Sequence, residues 1–135
     1  MSLLSERPLV LLVEDDRDAR VMFAASLEHA GFRVEQAHNG LQALERTFDL
    51  LPDAILTDLN IPGIDGYELT RRLKNDPRTR AIPVLAVTGY PPFTQDPARA
   101  GRAGCDAILL KPCDSGELTR TLTMQITAAR GRRSA

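Results

Sequence analysis

Long apolar runs are absent from this chain. No stretch approaches the roughly 18 to 20 residues needed to cross a bilayer, and the N-terminus lacks a basic segment followed by a long apolar core. Membrane insertion and export are therefore not expected. Cysteine is scarce as well: Cys105 and Cys113 are the two present, they do not form a CxxC pair, and no histidine cluster accompanies them. A zinc site or a disulfide framework is thereby disfavoured, and the two read as reduced thiols of a cytoplasmic protein. Nor is there an excess of one charge, since 17 Lys and Arg against 18 Asp and Glu give a formal net charge of −1. A direct nucleic-acid partner finds no support in that balance. Internal repeats, low-complexity tracts and long Pro, Gly or Ser linkers are also missing.

What is present suits one globular domain. A chain of 135 residues buries roughly two thirds of the surface that its unfolded form exposes, so it needs no staples to fold. Its 43% hydrophobic and 26% charged residues are ordinary for such a domain.

The most informative stretch is Ala54-Ile-Leu-Thr-Asp-Leu-Asn-Ile-Pro-Gly-Ile-Asp-Gly66. A short apolar run stops at Asp58 and gives way to a turn at Pro62-Gly63, after which Asp65-Gly66 opens a helical pattern. Apolar runs of this length bounded by turn signals read as strands buried on both faces, as in parallel sheets. Ligands of such sheets bind beyond the carboxyl ends of the strands, where Asp58 would lie. Alone, Asp58 is as readily a turn residue or a helix cap.

The same grammar recurs along the chain. Pro8 to Val13 is a continuous apolar strand followed by Glu14-Asp15-Asp16. Ala19, Met22, Phe23, Ser26, Leu27 and Ala30 then mark one face of a helix that Gly31 stops. Phe32 to Ala37 alternates like a strand nearer an edge, and Asn39-Gly40 makes a turn. Leu41, Leu44, Phe48 and Leu51 mark a second helical face. The helix after Gly66 points Leu69 and Leu73 inward and ends before Asp76-Pro77. Ile82 to Val87 is a fourth strand, followed by Thr88-Gly89. Pro91, Pro92 and Pro97 forbid a long helix from about residue 91, leaving a short one from about Pro97 to Ala103. Ala107 to Leu110 is the fifth strand, ending in Lys111-Pro112. A last helix opens at Asp114, which with Glu117 fits a capping box, and buries Leu118, Leu122 and Ile126. The expected organisation is an extension over residues 1–7, one domain over residues 8–129, and a frayed basic tail over residues 130–135.

Five strands alternating with helical segments predict a three-layer α/β domain around a five-stranded parallel sheet. No room is left in these residues for an output domain. Parallel strands gather their following residues at one edge: Glu14, Asp15 and Asp16, then Asp58, Thr88 and Lys111. Carboxylates about 4 to 6 Å apart repel by up to about 4 kcal/mol per pair at an effective dielectric near 20, so the cluster calls for a cation. An all-oxygen set suits Mg²⁺, which keeps several waters and takes one or two carboxylates plus phosphate oxygens. Lys111 adds a second positive charge and Thr88 a hydroxyl, which together could hold a transferring phosphoryl group with an Asp carboxylate as nucleophile. Duller roles exist for each residue: Asp16 as a helix cap, Thr88 as a strand-end residue, His29 and His38 as surface histidines, and the basic tail as a solvated end. Lys111 is harder to dismiss, because a lysine closing an apolar strand is costly without a partner.

Four ordered motifs, Leu12-Val-Glu-Asp-Asp16, Leu56-Thr-Asp-Leu-Asn-Ile-Pro-Gly-Ile-Asp-Gly66, Val87-Thr-Gly and Leu110-Lys-Pro112, resemble the receiver domain of bacterial two-component response regulators. The resemblance covers about Pro8 to Ala128. It implies a doubly wound, flavodoxin-like sheet of order 2-1-3-4-5. It also implies that Asp58 accepts a phosphoryl group from a phosphohistidine, on a sensor histidine kinase or a histidine phosphotransfer protein. By the same resemblance Asp15 is a direct Mg²⁺ ligand, Glu14 acts through water, and the Asn60 backbone carbonyl completes the metal site with Asp58. Thr88 and Lys111 take the phosphoryl oxygens, and the signal passes to a downstream protein or the phosphate moves on in a relay. Such a domain is no enzyme in the usual sense, although slow autophosphatase activity is compatible with it. Three positions depart from the family's habit: Ile108 replaces a common aromatic, Pro91-Pro92 falls where a helix often starts, and Cys113 replaces a common Phe.

Two other readings stand beside this one. A Mg²⁺-dependent phosphohydrolase with an Asp nucleophile, of the haloacid-dehalogenase type, usually carries a second Asp two residues on. That position is Asn60 here, and no cap domain fits the length. A scaffold that keeps the fold without phosphorylation is disfavoured, because every site residue is present.

Overall fold

A computed structural model describes residues 7–89, 96 and 98–134. Residues 1–6, Tyr90 to Gln95 with the Pro91-Pro92 pair, Pro97 and Ala135 lie outside the described residues. The elements run β1 (Leu9–Val13), α1 (Arg17–His29), β2 (Arg33–Ala37), α2 (Gly40–Leu50), β3 (Ala54–Thr57), α3 (Gly66–Lys74), β4 (Val84–Thr88), α4 (Ala98–Ala103), β5 (Ala107–Leu110) and α5 (Ser115–Ser134). The five strands form one parallel sheet of order β2-β1-β3-β4-β5. This is the doubly wound, flavodoxin-like arrangement.

Side chains alternate across each strand, so the two faces of the sheet make separate cores. Leu12, Leu56 and Leu85 face α1 and α5, where Leu27, Leu118 and Ile126 close over them. Leu11, Ile55 and Val84 face the other way, against Ala43 of α2 and Leu69 and Leu73 of α3. The inner strands β1, β3 and β4 are buried almost throughout, whereas the edge strand β2 alternates exposed and sheltered positions. This pattern is the reason that continuous and alternating apolar runs separate central from edge strands.

Helix starts follow local chemistry. Asp16 accepts a hydrogen bond from the Ala19 amide at 2.8 Å, and Asp65 accepts one from Glu68 at 2.9 Å. Asn39, read from the sequence as a plain turn residue, caps α2 through the Gln42 amide at 2.8 Å. Asp114 reaches the Gly116 amide at 3.3 Å, one position earlier than the expected capping box.

The helical faces depart from the sequence reading at three leucines and methionines. Met22, Leu41 and Leu51 are 64%, 57% and 56% exposed. The inward stripe of α2 is Gly40, Ala43 and Thr47, because Gly40 is pressed against the Ile64 backbone and sets the helix's rotation. Leu51 ends α2 in a left-handed conformation at φ 46°, which carries its side chain off the helical face. On α1 the buried positions are Ala24 and Leu27, with Met22 rotated outward. Strand β4 starts at Val84 and not at Ile82, since Pro83 has no N–H to offer a ladder. The expected frayed tail is helical: α5 continues to Ser134, and Arg130 pairs with Asp53 at 3.2 Å.

Two aspartates close the amino edge of the sheet in the same way. Asp53 accepts the Leu9 amide at 2.7 Å and pairs with Arg130, while Asp106 accepts the Val84 amide at 2.8 Å and pairs with Lys74 at 2.8 Å. Each satisfies an amide that the first residue of a strand would otherwise leave open. Asp106→Ala strips the Val84 amide of its acceptor and Lys74 of its carboxylate partner, leaving Lys74 the Arg80 and Ile82 carbonyls. It is expected to lower unfolding free energy by about 1–3 kcal/mol in urea titrations; a loss within the roughly 0.5 kcal/mol of an ordinary surface change would assign the edge no such role.

Candidate functional site

The ladder hydrogen bonds continue past the strand ends and carry the site residues with them. The Glu14 amide donates to Ala37 O at 3.1 Å, Asp58 to Val13 O at 3.2 Å, and Lys111 to Thr88 O at 2.9 Å. Acids from β1 and β3 and a lysine from β5 are thereby brought to one edge by backbone bonding alone. The fold of the loop after Asp58 depends on Gly66. A Cβ at that position would stand 2.5 Å from Asp58 O and 2.7 Å from Leu59 Cα, so only glycine lets α3 start this close to the loop.

Lys111 is the centre of the cluster. Its Nζ donates to Asp58 Oδ2 at 2.7 Å and to Glu14 Oε1 at 2.9 Å. The other oxygen of each acid is held by backbone: Asp58 Oδ1 accepts the Asn60 amide at 3.0 Å, and Glu14 Oε2 accepts the Asp16 amide at 3.1 Å. The Phe23 ring lies under the ammonium, 5.8 Å from centroid to Nζ. Glu14 is 3% exposed, and burial pushes its carboxyl above the usual range against the opposing pull of Lys111 and the Asp16 amide. Burial also works against the Lys111 ammonium, but its hydrogen bonds to Asp58 and Glu14 and their charges outweigh this and hold its pKa up. One ammonium shared between two acids compensates each only in part, which is why Glu14 remains disfavoured as an anion while the lysine stays charged.

The remaining expected residues lie around this core. Asp15 is exposed beside Glu14. Asn60 stands directly behind Asp58, and Thr88 is fully buried at the end of β4. Asp16, the commoner fate for an acid after a strand, is the cap of α1. Among the described residues no three acidic or other metal-binding side chains are already drawn together around a vacant centre; Lys111 stands between Glu14 and Asp58. The donor set nonetheless suits a loosely caged hard cation. Asp15 and Asp58 come from separate loops, Asn60 follows Asp58 by two positions with a backbone carbonyl to offer, every donor is oxygen, and a hard cation of this kind draws the rest of its shell from water and phosphate.

Sequence reasoning passed over two residues that shape the cluster. Phe23 appeared only as an apolar position of α1. Arg20 lies off that apolar face, although its guanidinium donates to Glu14 O at 3.0 Å and more weakly to Asp15 O at 3.4 Å. A cation in the opening turns of a helix, where the macrodipole disfavours it, is the available signal for Arg20.

In sequence and fold the chain is similar to known proteins. Residues 10–123 match the family model of the response regulator receiver domain. The polar-differentiation response regulator DivK of Brucella anthropi is 34% identical over 113 residues, spanning 84% of this chain and 91% of DivK. The DNA-binding dual master transcriptional regulator RpaA of Synechocystis is 36% identical over 111 residues, spanning 82% of this chain and 46% of RpaA. Among solved structures, the receiver domain of a sensor histidine kinase from Pseudomonas aeruginosa, with magnesium coordinated in its active-site cleft, superposes with TM-score 0.83 at 32% identity over 90% of this chain and 99% of that one. The chemotaxis response regulator CheY4 of Vibrio cholerae gives TM-score 0.80 at 27% identity over 89% and 99%.

A double-mutant cycle tests the charge balance. Without metal at neutral pH, Lys111→Met leaves Glu14 and Asp58 facing each other uncompensated and is expected to cost about 1–2 kcal/mol of unfolding free energy. In a Glu14→Gln background the same change should cost less, because one of the two repelling charges is gone. Equal costs in both backgrounds would show that Lys111 does not couple to Glu14.

Proposed function

The chain belongs to the response regulator receiver domain family, and from that premise we propose that Asp58 accepts a phosphoryl group from a phosphohistidine of a sensor histidine kinase or histidine phosphotransfer protein. The observation that carries this reading is the pair of contacts on Asp58. Lys111 Nζ at 2.7 Å from Oδ2 and the Asn60 amide at 3.0 Å from Oδ1 hold the carboxylate in a fixed orientation, which an attacking oxygen requires. In the transfer a carboxylate oxygen of Asp58 bonds to phosphorus as the phosphorus–nitrogen bond of the donor histidine breaks, and the imidazole leaves with the electron pair and takes up a proton.

The equatorial oxygens carry charge in such a transition state, and catalysis is mostly positioning and electrostatic compensation. Lys111 supplies one positive charge, and the Thr88 hydroxyl a hydrogen bond. Asp15, Asp58 and the Asn60 carbonyl, with Glu14 behind them, would hold a Mg²⁺ ion, which would supply the other positive charge. With the phosphoryl group in place, Lys111 would face a phosphoryl dianion where it now faces the Asp58 carboxylate, with Glu14 as its other partner. The resulting rearrangement at the ends of β4 and β5 is the signal read by a downstream protein, or the phosphate is passed on. Ile108 packs with Leu59, Tyr67, Ala86 and Ala100, so the readout runs through aliphatic packing against α4 in place of an aromatic ring. The domain works in the cytoplasm as a phosphoacceptor, with slow self-catalysed loss of the phosphate; its two free thiols accord with that compartment.

Acetyl phosphate with Mg²⁺ is expected to add one phosphate to the wild-type chain, seen by intact-mass spectrometry. Chelation of the metal should stop the gain, and Asp58→Asn should abolish it. No gain in the wild type, or an undiminished gain in the variant, would remove the reading. Steady multiple turnover of small phosphate esters would favour a hydrolase instead.

A further inference from the structure

The Glu14-Asp15-Asp16 loop is fastened at nearly every polar group. Glu14 Oε2 takes the Asp16 amide at 3.1 Å, Asp16 Oδ2 takes the Ala19 amide at 2.8 Å, and the Arg20 amide donates to Asp16 O at 2.9 Å. Asp15 differs. Its carboxylate is exposed and makes no hydrogen bond or ion pair among the described residues. Its place is therefore set by the backbone beneath it, and that backbone is gripped by Arg20, whose Nη1 donates to Glu14 O at 3.0 Å and to Asp15 O at 3.4 Å.

We infer that Arg20 is a positioning residue of the metal site: its guanidinium bridges the carbonyls of Glu14 and Asp15 and so fixes the backbone that presents the Asp15 carboxylate to a divalent cation. This rests on the reading of Asp15 as a metal ligand. Both bonds come from Nη1, whose two N–H groups diverge at a fixed angle in the guanidinium plane, whereas the ammonium of a shorter lysine side chain would have to reach the two carbonyls from further back. The arrangement also opposes simple electrostatics. A positive group beside a cation site repels the cation, so Arg20 weakens metal binding if it acts by charge and strengthens it if it acts by position.

That opposition of sign supplies the test. Mg²⁺ alone is titrated into the full chain, and binding is followed by amide chemical shifts and by calorimetry. Arg20→Met, which keeps the aliphatic stem and removes the donors, should raise the Mg²⁺ dissociation constant about tenfold, the lower end for residues that orient a ligand from behind. Arg20→Lys should fall between the two. Arg17→Met removes an exposed neighbouring charge and should leave affinity the same or slightly tighter. Affinity unchanged or increased in Arg20→Met overturns the inference; if that variant fails to fold, affinity unchanged in Arg20→Lys does so. Asp15→Asn separates this from the parent reading. Should it bind Mg²⁺ like the wild type, Asp15 is no ligand and the parent reading falls. Should it lose binding while Arg20→Met keeps it, only the role of Arg20 falls.

Discussion

Lys111 between Glu14 and Asp58 is the interaction on which the site depends. A parallel sheet delivers the residues that follow its strands to one edge whatever their charge, and here it delivers acids from two strands. Their mutual repulsion must be offset within the same few ångströms. The lysine arrives by the same rule, one residue beyond β5, with its amide still bonded to Thr88 O. Its side chain is 30% exposed, against 4% and 13% for those of Glu14 and Asp58. The cation thus sits at the surface of the cluster, where it keeps some hydration while the acids give theirs up. That division lets the acids be buried without a fully buried ion pair, whose desolvation would exceed its attraction.

Much of this was legible in the chain because strand burial and strand ends leave strong local signatures. Four apolar runs stop at turn signals, and the polar residue that closes or follows each one, Glu14, Asp58, Thr88 or Lys111, lies at the site edge, while the alternating β2 adds none. Asp58 and Lys111 need no long-range information to be noticed, since each interrupts an apolar run. Meeting across the sheet is another matter: Lys111 and Glu14 are 97 positions apart, and the order β2-β1-β3-β4-β5 came from the four motifs taken together, not from any single strand. The fold and the edge at which the site lies were readable, while the contacts within it were not.

What escaped the sequence reading has physical causes of two kinds. Met22 and Leu41 fall at helical spacing yet face outward, because helix rotation is set by the tightest contact and not by the most apolar residues, and Leu51 leaves the helical face at its left-handed turn. For α2 that contact is Gly40 against Ile64, where any side chain would collide. Arg20 and Arg130 escaped for the opposite reason, since both look like ordinary solvated cations. Each instead carries a bond that holds backbone or edge in place, Arg20 to the carbonyls of the acidic loop and Arg130 to Asp53. Long flexible cations place their charged ends several ångströms from their Cα, so spacing along a helix says little about what they touch.

The same reasoning bears on how a change at Asp58 travels. Glu14 is nearly buried and shares Lys111 with Asp58. Anything that draws Lys111 toward Asp58 leaves Glu14 with less compensation, so the β1 loop feels events on β3 without touching the reacting group. On the other side, Lys111 and Thr88 are joined through backbone at the ends of β5 and β4, and Ala86 and Ile108, which face each other in the register of those strands, pack with Ala100 of α4. A shift of the lysine therefore has two outlets, one through a charge deficit at Glu14 and one through aliphatic packing. The second requires side chains to move as a packed group, since dense cores respond by small concerted displacements. Ile108, branched at Cβ and stiff about its first torsion, transmits displacement better than rotation, which is the physical difference between this chain and a receiver that carries an aromatic at that position.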